Sequence, residues 1–585
     1  MRTDFYKNKV YWLVLWIALF VFLQYNNEYH FYLIEQNQLF QWSMAYWLEG
    51  WNIPGAVSTW ISEFLVQFFL LPYGGAGISA VLLTGVGIGT SLVMKQILSD
   101  NRGIFISLLP AVFLLFTHFD FNYLVSGTVA YLFLLIFLNG VIRIKGFRWR
   151  WFAALIGTAL LFYIAGPVSM LFAGIITLYE LGNRTPRGYL MLLVCAEVFL
   201  LGLLAVHLSW IGEFRYIFLP DGYYHPKLAP KQVIYYAWIV LPVLILIAFG
   251  WRRRAAFSGK FLYVSVGFQL LLIAGLLWWG IDTYGDAKAY RVKKLDYFSR
   301  TGQWDRILEE CKGELTNYLY MCYVNMALAQ KGELGNQLFS YDQRGLPGLI
   351  IPWNQTNSIS ILLSDVYFTI GDMGSAQQMA FEAYIGSTGK GNSRMLQRLV
   401  ETNLVYGSYA VAEKYIRILE NTWGYARWAK EKRAFLYQDE RVVADSLLGK
   451  KRQNLPEENF LSQIHGITQD LFMLAGSDPD NKAAIEYAGA VYLLSKDNSA
   501  FKEMVETYYG TPVLPELPVH FQEAVISIWE NDPSRWEYFQ VSEPVKQRFT
   551  DFKKQVLANR QHSAALPNLL RRSHGNSYWY YLMFK

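Results

Sequence analysis

Residues 233–250 read VIYYAWIVLPVLILIAFG, residues 251–260 continue as WRRRAAFSGK, and residues 261–281 return to FLYVSVGFQLLLIAGLLWWGI. Each apolar run approaches the roughly 20 residues a helix needs to cross the hydrocarbon core. The arginines between the runs are too costly to place inside it. The stretch is therefore a membrane hairpin, and it sets the fold class as all-α, beginning with a polytopic helical bundle. Toward the N-terminus, comparable runs occupy about 10–24, 75–94, 103–119, 122–142, 151–166, 167–182 and 188–212. Nine spans are expected within residues 1–281; reading the pair around Gly166-Pro167 as one kinked helix would make eight.

Charge distribution supports the membrane reading. The chain has 585 residues, 53% hydrophobic and 17% charged, which excludes disorder. Its three cysteines exclude a disulfide scaffold and a thiolate zinc site. The net charge of +6 is uneven: residues 1–281 carry 18 Lys and Arg against 11 Asp and Glu, and the remainder carries 34 against 35. All the excess positive charge lies in the half with the apolar runs, which argues against nucleic acid as a partner. With nine spans, Arg2, Lys7 and Lys9, then Lys95, then Arg143, Lys145, Arg148 and Arg150, then Arg184 and Arg187, then Arg252, Arg253, Arg254 and Lys260 all fall on one side, the cytoplasm. The first span is not a cleavable signal, because no small-residue site follows Leu23. Residues from 282 onward are then expected outside the membrane.

This topology makes residues 25–74 a long first external loop. It holds Glu28, Glu35, Glu49 and Glu63 and no Lys or Arg. The stretch from Trp60 to Leu71 is apolar but too short to cross, so it and residues 38–50 are expected as interfacial helices with Trp and Phe turned inward. A second external loop, 213–232, contains Arg215, Asp221, His225, Lys227 and Lys231, and a third small one holds His118, Asp120 and Asn122.

From about residue 285 to 585 the pattern becomes amphipathic helices of 10–16 residues joined by short turns, forming a second, extracytoplasmic domain. The turns Arg300-Thr301-Gly302-Gln303-Trp304, Gln330-Lys331-Gly332-Glu333, Ile370-Gly371-Asp372-Met373, Tyr406-Gly407-Ser408-Tyr409 and Gln438-Asp439-Glu440 recur at intervals of 30–39 residues, and Lys496-Asp497-Asn498 is a later one. Ala376 and Ala412 follow their turns at matching positions. This layout resembles degenerate tetratricopeptide repeats over about 290–510, and such a solenoid presents a groove for a polypeptide. The aromatic end Tyr578-Trp579-Tyr580-Tyr581 is expected to dock on the domain or on the membrane surface.

No phosphate-cradling Gly loop, HExxH, GxSxG or Cys/His ligand spacing is present. The glycines at 74–77 and 85–89 lie at or within a span and suit close helix packing. Cys311 and Cys322 can be read as a bridge between adjacent helices or as core residues. Carboxylates remain as the candidate chemistry. Glu28 and Glu35, just beyond the first span, can act as a general base toward a hydroxyl or be solvated loop acids that keep the loop outside. Glu197, within the seventh span, should face the bundle interior, paired with a polar group or protonated. Arg215 can hold a lipid diphosphate by a bidentate fork or serve as a plain interfacial anchor.

The acidic first external loop with interfacial helices resembles the GT-C superfamily of membrane glycosyltransferases. With its C-terminal tetratricopeptide-like repeats, the whole chain is similar to transmembrane protein O-mannosyltransferases, and more closely to bacterial inner-membrane proteins of unknown function. No Asp-Asp or Asp-Glu pair follows the first span. The resemblance implies a polyprenyl-linked sugar donor, Glu28 or Glu35 as base, Arg215 on the lipid diphosphate, and an acceptor polypeptide on the repeats. Glu197, His118 and Asp120 are the further substrate-binding candidates. No particular cofactor is assigned, and a divalent cation stays open. The alternative is a non-catalytic scaffold anchored in the membrane whose repeats bind envelope proteins; a transporter or flippase is the third reading.

Overall fold

The computed structural model describes residues 2–98, 103–252, 260–387, 391–453, 455–456, 466–559 and 565–585; the expected basic residues Arg253 and Arg254 lie outside them. Among the described residues the architecture is helical, and strand-like pairing is confined to isolated bridges, Tyr123 with Tyr224 and Tyr509 with Leu514. The chain forms two compact units. The first is Met1–Tyr290 with Asn421–Gly424, and the second is Arg291–Ser387, Gly391–Glu420 and Tyr425–Lys585.

The first unit contains α1 (Arg2–Asn37), α2 (Met44–Gly50), α3 (Ala56–Val66), α4 (Gly74–Leu98), α5 (Leu109–Thr117), α6 (Ser126–Ile142), α7 (Phe147–Ala165), α8 (Val168–Gly182), α9 (Leu192–His207), α10 (Arg215–Phe218), α11 (Val233–Arg252) and α12 (Lys260–Tyr284). Among the described residues, five segments are long and apolar enough to cross a membrane: Lys9–Asn37, Gly74–Leu98, Gly188–His207, Val233–Arg252 and Tyr263–Tyr284. Ile106–Thr117, Ser126–Ile142 and Val168–Gly182 are apolar but shorter than a full crossing. The reason is that an apolar run is not all helix. The run at 103–119 begins with a 3-10 turn at Ile106–Leu108, and the run at 122–142 begins with the bridge at Tyr123.

Glycines set the closest packing. A Cβ on Gly75 would overlap the Phe31 ring, and one on Gly87 would press on Leu108 and Trp12. Gly75 thus lies beside the C-terminal half of α1 and Gly87 beside its N-terminal half, so α1 and α4 run antiparallel and Lys95 lies toward the N-terminal end of α1. The chain reverses at Gly166-Pro167, with Gly166 at φ +76° and Arg150 at the start of α7 paired with Glu180 near the end of α8. That segment is a helical hairpin rather than one kinked helix. Gln96 donates to Asn139 at 2.7 Å and Arg252 to Asn183 at 2.6 Å, so the ends of α4 and α6, and those of α8 and α11, meet.

The second unit is built from helix pairs. Helix α13 (Ala287–Arg300) precedes α14 (Trp304–Glu310), α15 (Tyr318–Gln330) precedes α16 (Leu334–Gln337), α17 (Asn357–Ile370) precedes α18 (Met373–Ile385), and α19 (Ser393–Val405) precedes α20 (Tyr409–Glu420). The four intervening turns carry Gly302, Gly332, Gly371 and Gly407, each at positive φ. At Gly371, φ +104° lets the chain leave α17 in the left-handed region, and Asp372 then caps α18 by accepting from Ser375 N–H at 2.9 Å. Ala376 and Ala412 are fully buried where each second helix packs on its first. Inside the unit, Arg394 pairs with Asp296 at 2.7 Å and with Asp365, and Arg398 reaches Asp365 at 3.1 Å. The C-terminal helix Tyr578–Phe584 buries all four aromatic residues at 578–581 on this unit, with Trp579 Nε1 donating to the Glu523 carbonyl at 2.9 Å. Cys311 and Cys322 are buried free thiols, and burial pushes the first up to about 11 and the second to about 12.

Candidate functional site

Glu28 and Glu35 belong to α1, not to a loop. No Gly or Pro occurs before Gly50, so nothing breaks the helix where its hydropathy falls. Seven residues apart, the two carboxylates share one helix face; Glu28 is half-buried and Glu35 is 5% exposed. After Asn37 the buried residues Leu39 and Phe40 lead into α2, where Ser43 caps the helix by accepting from Tyr46 N–H at 3.2 Å.

Helices α2 and α3 enclose a cavity of about 130 Å³ lined chiefly by Tyr46, Trp47, Trp51, Pro54, Trp60 and Glu63. Its indoles are in contact, with Trp47 and Trp60 ring centroids 4.0 Å apart and Trp47 and Trp51 6.1 Å apart. Phe40 supports them, 5.3 Å from Trp60 and 5.4 Å from Tyr46. Within this aromatic wall is one carboxylate. Glu63 is 7% exposed and accepts from the Tyr46 hydroxyl. Burial first, and the Glu63 charge second, raise the Tyr46 pKa far above the ordinary phenol, which keeps it a donor. The expected inward face is different in detail. Helix α3 buries Ser58, Ser62, Glu63 and Val66, while Trp60 and Phe64 are half-buried.

His118 and Asp120 come together in a second polar cluster. His118 Nε2 is 2.9 Å from Thr128 Oγ1, and its carbonyl accepts from Asn27 of α1 at 3.3 Å. Asp120 accepts from Tyr224 at 2.8 Å, from Asn122 N–H at 3.0 Å and from the Asn122 amide at 3.1 Å, and pairs with Lys231 at 3.3 Å. Two backbone bonds, Leu124 N–H to Tyr223 and His225 N–H to Asn122, each 3.0 Å, join this loop to residues 223–225. With so many donors already on it, Asp120 holds two loops together and has little capacity left for a substrate.

Arg215 and Glu197 stand apart from these groups. Arg215 is exposed, pairs with Glu213 at 2.7 Å and donates to Tyr216 at 2.9 Å, so its fork is already engaged. Glu197 is half-buried beside the packed face of α9 formed by Val194, Val198, Gly202 and Ala205. Its enclosed Oε2 has no hydrogen-bond partner among the described residues. No group of three or more His, Cys, Asp or Glu among the described residues is placed to hold a metal ion.

The cavity residues Tyr46, Trp47, Trp51 and Trp60 carry no motif in the sequence. Glu63 did have a signal, as the one charge within the apolar run 60–71. No curated protein and no solved structure matches the chain. A family of unknown function, DUF6057, matches residues 5–585. The chain therefore belongs to the DUF6057 family.

Proposed function

We propose that the protein is a membrane glycosyltransferase that moves a sugar from a polyprenyl-linked donor to an acceptor, a polypeptide being the class the second unit suits. The N-terminus and the basic loops lie in the cytoplasm, and the aromatic cavity and residues 291–585 lie on the outer face, in a bacterial envelope the periplasm. The observation that carries the reading is a cavity walled by Trp47, Trp51 and Trp60 with one buried carboxylate, Glu63, on the segment that follows the first long helix. Aromatic faces offer flat apolar area to the C–H face of a sugar ring, and the carboxylate supplies a proton acceptor beside it. In the transfer, the acceptor hydroxyl forms a bond to the anomeric carbon as the bond from that carbon to the lipid phosphate oxygen breaks. The hydroxyl proton passes to Glu63, and the polyprenyl phosphate leaves. Glu35, buried on α1 before the turn into α2, is the second carboxylate to test, and Glu28 the third.

Full-length protein in vesicles with a radiolabelled polyprenyl-phosphate hexose and a total envelope protein extract tests this. Labelled protein should appear with the native chain and fall by about a hundredfold or more with Glu63→Gln, at equal abundance. Undiminished transfer with Glu63→Gln would move the base to Glu35 or Glu28, whose Gln variants complete the set. No transfer by the native chain would favour the second reading, a membrane-anchored scaffold with tetratricopeptide-like repeats. That reading has its own support in a groove of about 330 Å³ between α18, α19 and α20, lined by Gln377, Gln378, Phe381, Asn403 and Tyr415. Amide side chains beside exposed apolar ones suit an extended polypeptide backbone.

A further inference from the structure

A cavity of about 540 Å³ lies where α7 begins, between Gly146–Phe152 and the turn at Arg187–Leu190. Its lining includes Arg148, Arg187, Trp149, Trp151 and Phe152. The arginines around it are not equivalent. Arg150 is committed, with its guanidinium on the fully buried Glu180 and on the Ile144 carbonyl at 2.9 Å. Arg148 and Arg187 are exposed, and among the described residues their guanidinium groups make no hydrogen bond or ion pair, the Arg187 carbonyl alone accepting from Leu190 N–H at 2.9 Å. Arg187 is also held at φ +66°, a left-handed backbone that a non-glycine residue adopts at a cost, and this turns the chain at the cavity mouth. Trp151 closes the other wall by donating from Nε1 to the Leu190 carbonyl at 3.1 Å.

An apolar strip leaves this cavity along α7. Trp149, Phe152, Ile156 and Leu160 are 73%, 53%, 62% and 48% exposed, spaced three or four residues apart and so aligned on one helix face. Two uncommitted guanidiniums over a cavity, continuous with an exposed apolar strip, match a ligand with a phosphate at one end and hydrocarbon at the other. We infer that this cavity is a binding site for an anionic glycerophospholipid, with the headgroup phosphate between Arg148 and Arg187 and an acyl chain along Trp149, Phe152, Ile156 and Leu160. Guanidinium forks suit phosphate by paired N–H donors, and a basic pocket at the end of membrane helices gains from the anionic surface as well. The committed Arg150–Glu180 pair, outside the lining, ties the start of α7 to the end of α8 and leaves the phosphate to Arg148 and Arg187.

The test uses the purified full-length protein in detergent, with defined lipids added and bound lipid counted by native mass spectrometry. Phosphatidylglycerol should be retained over phosphatidylcholine of the same acyl chains, with a preference of about fivefold per arginine. The preference should vanish in R148Q/R187Q, be partly kept in R148K/R187K, and survive in R143Q/R184Q, which removes equal charge outside the cavity. Ile156→Ser should weaken retention of both lipids. Inorganic phosphate at tens of millimolar should fail to displace phosphatidylglycerol. Equal retention of the two lipids by the native chain, an unchanged preference in R148Q/R187Q, or full displacement by inorganic phosphate would each overturn the assignment, the last by giving the site to a soluble phosphate.

Discussion

Glu63 and Tyr46 show what a buried acid needs. The carboxylate sits among indoles, and the phenol stays protonated and donates to it. Tyr46→Phe keeps the ring and removes the donor, so it should destabilise the detergent-solubilised protein by about 1–3 kcal/mol, seen as a lower midpoint in thermal unfolding. Glu63→Gln should cost less, because an amide oxygen still accepts from Tyr46. A change in the reverse order would show that the hydroxyl contact contributes nothing. The buried ionic cluster in the second unit makes a sharper case. Arg394 stands between Asp296 and Asp365, and Arg394→Met would strip both acids of a shared cation, although Arg398 still reaches Asp365. The expected loss is about 3–5 kcal/mol in urea unfolding of the full chain, and adding Asp296→Asn to Arg394→Met should recover part of it. If the double variant is no more stable than the single one, the cost is packing and not charge.

Among the elements, the C-terminal pair Leu566–His574 and Tyr578–Phe584 carries a pH prediction. Both ring nitrogens of His574 are enclosed without a hydrogen-bond partner among the described residues. Burial, and then the Arg548 charge, lower its pKa, while Asp551 and Glu523 act in the opposite sense. The folded chain thus holds a neutral ring that the unfolded chain would protonate more readily. Its stabilisation is complete above the ordinary imidazole value of about 6.5 and declines as pH falls below it toward the depressed folded value. Amide exchange at Tyr578–Tyr581, corrected for intrinsic rates, should be faster at pH 5 than at pH 7.5, and His574→Phe should flatten the difference. Equal protection at both pH values in the native chain would remove His574 from the account. The first helix teaches a related lesson about elements. Its apolar part ends near Leu23, yet its backbone continues to Asn37, because hydropathy decides where lipid can lie and a fall in hydropathy without Gly or Pro does not end a helix.

For the molecule as a whole, the expected topology has the N-terminus in the cytoplasm and residues 291–585 on the far side. Antiparallel packing of α1 and α4 brings Lys95 back toward the N-terminus, in keeping with basic residues gathering at one end. A phosphatase reporter fused after Gly391 should be active, since that enzyme matures only outside the cytoplasm. An inactive phosphatase, with an active cytoplasmic reporter at the same site, would reverse the topology and place the aromatic cavity on the cytoplasmic face.

The all-helical character of both halves, the concentration of positive charge near the apolar runs, the turns at Gly302, Gly332, Gly371 and Gly407, and the small residues at tight helix contacts were legible in the sequence by itself. Each is a local property: propensity, period, charge, or a backbone angle that glycine tolerates best. Helix length across the apolar runs was not legible, because a 3-10 turn and a bridge segment are as apolar as the helices they adjoin. Nor was the commitment of charged groups. Arg148, Arg150 and Arg187 read alike as basic loop residues and Arg215 as a diphosphate ligand, yet Arg150 is spent on Glu180 and Arg215 on Glu213, while Arg148 and Arg187 face a cavity. Only the tertiary structure decided that, and likewise that Glu63 rather than Glu28 sits within an aromatic wall. A charged side chain's role depends on which donors and acceptors lie within about 3 Å of it, and residues 17 or 30 positions away supply them here.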